Sequence, residues 1–383
     1  MSMRLKKLLA LLLSISVVAT GLFNDIGAKN ADAAVVAKQN KNSRYINFGG
    51  KGTLKIGSKA KGIAENNAYF FNNHISSVKV SKKNKYLKAQ DGVLYSKNMK
   101  ILYYYPAMKQ NKKFTIPSTV ARVVRYAFAN NNFLEQLNMG KNIYAVDMGW
   151  FDKCANLKRI NMPPELQSVD SYVEYSGLES LEKVTLSESN KYFSIYDDTL
   201  YSKDYKTLYV MPFGKSSLEL APQVESIVYL DMINDRYKNV LTKNSFSEIN
   251  ISSQNQYFVT VDGVLYDKDI TKIMLLPGKM TSYKMPATVN DITGILNVFF
   301  GETEDNIANN SLSDISVEKE NLLYVSKDGV LFSKDMNKLY VYPQEKKGNY
   351  TLNDLEILTS RTNLGNLTLN NCTLNATMYN DGN

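Results

Sequence analysis

The chain has 383 residues, 44% of them hydrophobic and 22% charged, with a formal charge of +9 at neutral pH. Its single histidine, His74, excludes a multi-histidine metal site and argues against Ser-His-Asp or Cys-His chemistry. No G-x-S-x-G, phosphate-loop or C-x-x-C motif is present, and the basic balance comes with no DNA- or RNA-binding motif.

At the N-terminus, Arg4, Lys6 and Lys7 precede an apolar run from Leu8 to Ala19, and Ala31-Asp32-Ala33 follows. This order of basic, apolar and small-residue segments predicts a secretory signal peptide over residues 1–33. No later run approaches the length of a membrane-spanning helix, so the mature chain is expected to be exported, soluble and secreted or held at the cell surface. Residues 34–53 form a basic leader, with Lys38, Lys41, Arg44 and Lys51, and Lys55, Lys59 and Lys61 continue it. Two readings stand: a solvated flexible segment, or attraction to anionic surface polymers such as teichoic acids or to acidic glycans.

From residue 54 to 383 the chain repeats itself. A cassette reads NKYLKAQDGVLYSK from Asn84, NKYFSIYDDTLYSK from Asn190, NQYFVTVDGVLYDK from Asn255 and NLLYVSKDGVLFSK from Asn321. Before each copy stands an apolar group that places its last two side chains on one face of a short strand. These groups are Ile75-Val78-Val80, Leu181-Val184-Leu186, Phe246-Ile249-Ile251 and Leu312-Ile315-Val317. The same spacing returns without the cassette at Leu134-Leu137-Met139, Leu157-Ile160-Met162 and Leu364-Leu367-Leu369, giving seven predicted strands. Within the cassette, Asp-Gly favours a tight turn. The following strand, a Lys-Asp or Lys-Asn turn and a return to Pro106, Pro212, Pro277 or Pro343 predict a β-hairpin insertion. The asparagines at 84, 190, 255 and 321 read as turn residues bonded to their own backbone.

The segments IPSTVARVVRYAFANNNFLEQLNM (116–139) and VDMGWFDKCANLKRINMP (146–163) resemble the BspA-type, or Treponema-type, leucine-rich repeat. NLGNLTLNNCTL (363–374) fits the general leucine-rich pattern with Cys372 at its Asn/Cys position, and the likeness runs from about Leu54 to Leu374. The spacing of 23 and 24 residues between Leu137, Ile160 and Val184 falls within the period of about 20–29 residues of such repeats. The resemblance implies a right-handed leucine-rich-repeat solenoid with a parallel β-sheet, decorated by hairpins. It also implies adhesion, with an extracellular protein, cell or glycan as partner. Each coil buries large aliphatic side chains only against its neighbours, at ~1.5–3 kcal/mol apiece. Cys154 and Cys372 are expected as separate buried thiols, too many coils apart to bridge.

No catalytic residue, cofactor or metal ligand is predicted. The Asp-Gly loops supply one carboxylate before apolar strand residues, so turn chemistry accounts for them better than calcium does. Two surfaces remain for recognition. The outward strand positions Lys79, Asn138, Asn161, Thr185, Asn250, Ser316 and Thr368 form a polar stripe, read either as a ligand surface or as inter-coil ladders. On the returning hairpin strand, Tyr103, Tyr105, Tyr209, Tyr340 and Tyr342 are either presented outward for contact or buried under a neighbouring coil. Alternatives to adhesion are a cell-envelope scaffold on anionic wall polymer, or the substrate-binding portion of a secreted hydrolase.

Overall fold

The computed structural model describes residues 36–38, 45–46, 50–63, 74–170, 178–228, 244–292, 311–343, 345–348, 350–353, 356–358, 367–370 and 373–375. The predicted signal peptide and Cys372 lie outside them. The described residues are almost entirely short strands and turns, stacked coil on coil as a β-solenoid with parallel sheets. Strands 51–56 and 74–80 pair in parallel with Leu54 opposite Val78. Strands 113–115, 136–138, 159–161 and 183–185 follow, with Phe114, Leu137, Ile160 and Val184 in register. Leu218 then faces Ile249, and Tyr283 faces Ile315. The register stacks one apolar side chain on the next, all buried but the half-buried Phe114, because a one-residue slip would turn them to solvent.

Each coil also contributes to a second parallel ladder. Leu102 pairs with Val123, Val146 with Val169, Leu208 with Ile227, and Leu339 with Ile357. The predicted hairpins are three-stranded antiparallel meanders, as in 87–90, 93–96 and 101–104, whose last strand enters this second ladder. Asp91 and Gly92 have φ of 51° and 77°, the paired positive values of a two-residue type I′ loop, and Asp262-Gly263 and Asp328-Gly329 repeat them. The turn takes the place of a strand in the first ladder: Val78, Ile249 and Ile315 donate their N–H groups to the carbonyls of Gly92, Gly263 and Gly329. His74 is the first residue of the strand 74–80.

The middle strand of a meander is buried on both faces, which is why it reads as the unbroken apolar run V-L-Y. Leu94 packs with the preceding coils around Leu54 and Val78, while Val93 and Tyr95 pack with the following ones around Phe128 and Leu137. Leu265 and the pair Val264 and Tyr266 divide the next boundary in the same way. These two meanders are septa that cut the core into three segments.

The cassette asparagines do more than bond their own backbone. Asn190 Oδ1 accepts from Tyr192 and Phe193 N–H at 2.8 Å each, and its Nδ2 donates to the Pro164 and Leu166 carbonyls of the preceding coil at 2.9 Å each. Asn84, Asn255 and Asn321 make the same four bonds, and all four side chains are buried. They occupy the corner that Val120, Ile143 and Leu166 fill in coils without a cassette, each with its N–H bonded to the carbonyl three residues back. The cassette lysine closes the loop: Lys97 and Lys203 Nζ donate to the Asn84 and Asn190 carbonyls at 2.9 and 2.6 Å, and Lys268 and Lys334 do likewise. At another bend, Asn131 donates to the Pro106 and Lys109 carbonyls, and buried Cys154 donates its thiol to the Phe128 carbonyl at 3.0 Å.

Removing such an amide strands two buried carbonyls and two N–H groups, each costly when unpaired. Asn190→Ala is expected to lower unfolding free energy by about 2–4 kcal/mol in guanidinium denaturation. A loss below about 1 kcal/mol would refute the stapling role.

Candidate functional site

The polar stripe lies where alternation predicts, and part of it is a ladder. Asn138 Nδ2 donates to Thr115 Oγ1 at 2.9 Å, Asn161 Nδ2 to Asn138 Oδ1 at 2.5 Å, and Thr185 Oγ1 to Asn161 Oδ1 at 2.6 Å. Asn138, Asn161 and Thr185 are half-buried, Thr115 is exposed, and these side chains spend hydrogen bonds on one another. Asn250 is half-buried on strand 248–250, while Lys79 and Ser316 are exposed. The side chain of Thr368 lies outside the described residues.

The ladder ends at Thr185 beside a cavity of about 470 Å³, lined by Lys183, Thr185, Phe193, Asp198, Lys203 and Tyr205 among others. It opens where the turn Asp197-Asp198, rather than another strand, follows strand 183–185. Charge is paired there: Lys183 meets Asp198 at 2.9 Å, and Lys215 meets Asp197 at 2.7 Å. On the second ladder, Arg125 bridges the carboxylates of Asp147 and Asp170 at 3.5 and 3.9 Å. Burial raises the Asp147 carboxyl above its ordinary value, opposed by Arg125 and by the Gly149 N–H.

The outward reading of the hairpin tyrosines is corrected for two of them. Tyr105 and Tyr342 are 0% and 3% exposed. Each stands just beyond its strand, at the bend before proline, where strand alternation no longer sets direction. Tyr105 turns into the core against Phe114 and Phe128, with ring centroids 4.7 and 5.2 Å away. Tyr103, Tyr209 and Tyr340 are half-buried; Tyr209 leans edge-on against Phe193 and Tyr340 against Tyr324.

The side chains that do face solvent are others. Among the described residues, the exposed large hydrophobics are Tyr86, Tyr144, Tyr192, Tyr257, Leu322 and Leu323. Tyr86, Tyr192, Tyr257 and Leu323 each stand two residues after a cassette asparagine. Their N–H groups are held by its Oδ1, and the next residue (Leu87, Phe193, Phe258 or Tyr324) enters the core. Tyr144 follows Ile143 at the same corner of a plain coil. The six therefore share one edge of the stack. For four of them the signal was the Tyr or Leu at the third position of every cassette.

Residues 103–206 match the family model described as the BspA type leucine rich repeat region, in six copies. Residues 103–206 carry BspA-type leucine-rich repeats. No curated protein matches it. Among solved structures, it is similar to a leucine-rich repeat protein from Eubacterium ventriosum, at 19% identity and a TM-score of 0.36, covering 71% of this chain and 56% of that one. It is also similar to the pneumococcal vaccine antigen PcpA, at 19% identity and a TM-score of 0.32, covering 70% and 56%. A leucine rich cell surface protein from Faecalibacterium prausnitzii matches at 17% identity and 0.34, covering 52% and 48%. The chain thus spans about half the length of these structures.

Burial dominates the electrostatics of the inward tyrosines. Desolvation holds the phenols of Tyr95, Tyr105, Tyr201 and Tyr266 well above their ordinary range and pushes Tyr324 up to about 12. A phenol whose folded value is raised stabilises the fold fully below its unfolded value of about 10, and that contribution is lost as pH climbs toward the folded value. Above about pH 10 these buried phenols are expected to ionise only together with loss of β circular dichroism. Tyrosinate absorbance reaching its unfolded-state amplitude while the β signal persists would contradict this placement.

Proposed function

We propose that the protein is a non-catalytic binding protein, exported and acting outside the cell or at its surface, which engages a protein, a cell or a glycan through its BspA-type repeat surface. The observation that carries the reading is the shared edge of Tyr86, Tyr144, Tyr192, Tyr257 and Leu323. Elsewhere the stack turns large apolar side chains inward and pairs much of its charge, whereas this edge leaves them in water. Exposed aromatic side chains gathered on one face mark interaction surfaces, and tyrosine joins a rigid ring to a hydroxyl. The N-terminal signal supports export. A second reading, an envelope scaffold on anionic wall polymer, is favoured by the basic residues from Lys38 to Lys61.

The test is binding of the labelled chain, residues 34–383, to animal cells, immobilised matrix proteins and isolated cell walls. Combined Tyr144→Ser, Tyr192→Ser and Tyr257→Ser substitution is expected to weaken binding at least tenfold with the circular dichroism melt unchanged. Undiminished binding by this variant removes the edge from the reading, and absence of binding to every surface removes the reading itself.

A further inference from the structure

The exposed edge is not uniform along its length. Its corner segments 57–63, 81–86, 97–100, 117–122 and 140–145 carry lysine and arginine but no aspartate or glutamate. Lys61, Lys85, Lys100, Arg122 and Lys141 among them are exposed. From residue 163 onward the same corner alternates in sign: Lys206 pairs with Glu225 at 2.8 Å, and Lys272 lies 3.6 Å from Asp291. Among the described residues, the first half of the edge therefore carries exposed cations whose own corner segments hold no carboxylate.

Two aromatic rings stand within this cationic half. Lys61 Nζ lies 5.3 Å from the centre of the Tyr86 ring, so ring and ammonium share one surface. Between Tyr86 and Tyr144 the stack makes three steps. Lys97 N–H bonds the Tyr86 carbonyl, Ala121 N–H bonds the Lys100 carbonyl, and strand 113–115 pairs with 136–138. At ~4.8 Å per step the rings stand about 14 Å apart, with lysine and arginine between them.

From this arrangement we infer that the edge from Lys61 to Tyr144 binds a linear acidic polysaccharide, its carboxylates or sulfates on the lysines and its sugar rings against Tyr86 and Tyr144. The inference rests on the binding reading above and names the ligand class for part of that edge. The cations call for an anionic partner. The rings are single and separated by charge, so they do not make the contiguous desolvated centre on which a protein interface depends. A narrow polymer needs no such centre. It meets one ring and one cation at a time along the stack, and the flat apolar faces of its sugars suit the faces of tyrosine.

The experiment measures binding of the full chain to heparin, hyaluronan, dextran and poly-glutamate at low and high salt. Heparin and hyaluronan should bind and be released as salt screens the lysines, and dextran should not bind. Lys85→Glu with Lys141→Glu should weaken heparin binding about tenfold or more. The same charge change at Lys113 and Lys279, off this edge, should leave it near wild type. Tyr86→Ser with Tyr144→Ser should weaken it several-fold, and phenylalanine at those positions should restore it. Poly-glutamate bound as tightly as the polysaccharides, dextran binding, or indifference to the edge substitutions would each overturn the inference. If cells or matrix proteins bind while the polysaccharides do not, the inference falls and the broader reading stands. If nothing binds, both fall.

Discussion

The structure depends on a buried carboxamide with every valence in use. Where the chain leaves the regular coil to build a meander, an aliphatic corner residue could fill the space but could not bond the carbonyls of the coil beneath. Asparagine can, because one side of its amide donates twice and the other accepts twice. The cassette lysine then occupies the asparagine's own carbonyl. Local turn and stacking contact are thus made by one side chain, and the meander cannot form without docking on its neighbour.

Much of this architecture was legible in the sequence. Strict repetition exposed the cassette, alternation located the strands around Val78, Leu137, Ile160, Val184, Ile249 and Ile315, and Asp-Gly marked the tight turns. The strands at Phe114, Leu218 and Tyr283 belong to the same ladder, yet Asn111 and Lys215 stand where the first two would carry the leading apolar residue, and only Tyr283 keeps it, as Met280. The second ladder was hidden because some of its strands are only two residues long, as at Arg122–Val123.

The candidate surface was harder to read, for a geometric reason. Alternation along a strand is a sound guide only while the strand lasts. Tyr105 and Tyr342 sit one residue past that limit and turn inward. Tyr86, Tyr192 and Tyr257 precede the meander, where an asparagine oxygen sets the backbone direction and so the side that faces water. An outward residue is therefore specified by a hydrogen bond made two residues earlier, which periodicity does not report. The polar stripe shows the converse: alternation does turn Asn138, Asn161 and Thr185 away from the core, yet there they are engaged with each other.

The septa bear on how such a molecule yields to tension. In an undivided solenoid, peeling one coil exposes the next, so a pull at one end would unzip the whole length by a single repeated event. Here Leu94 and Leu265 face one core segment while their neighbours in sequence face another. A crack advancing through the stack must tear a doubly buried strand before it enters the next segment. Extension should proceed in a few abrupt lengthenings separated by plateaus, so a tethered molecule would give way by segments while the remainder kept its shape.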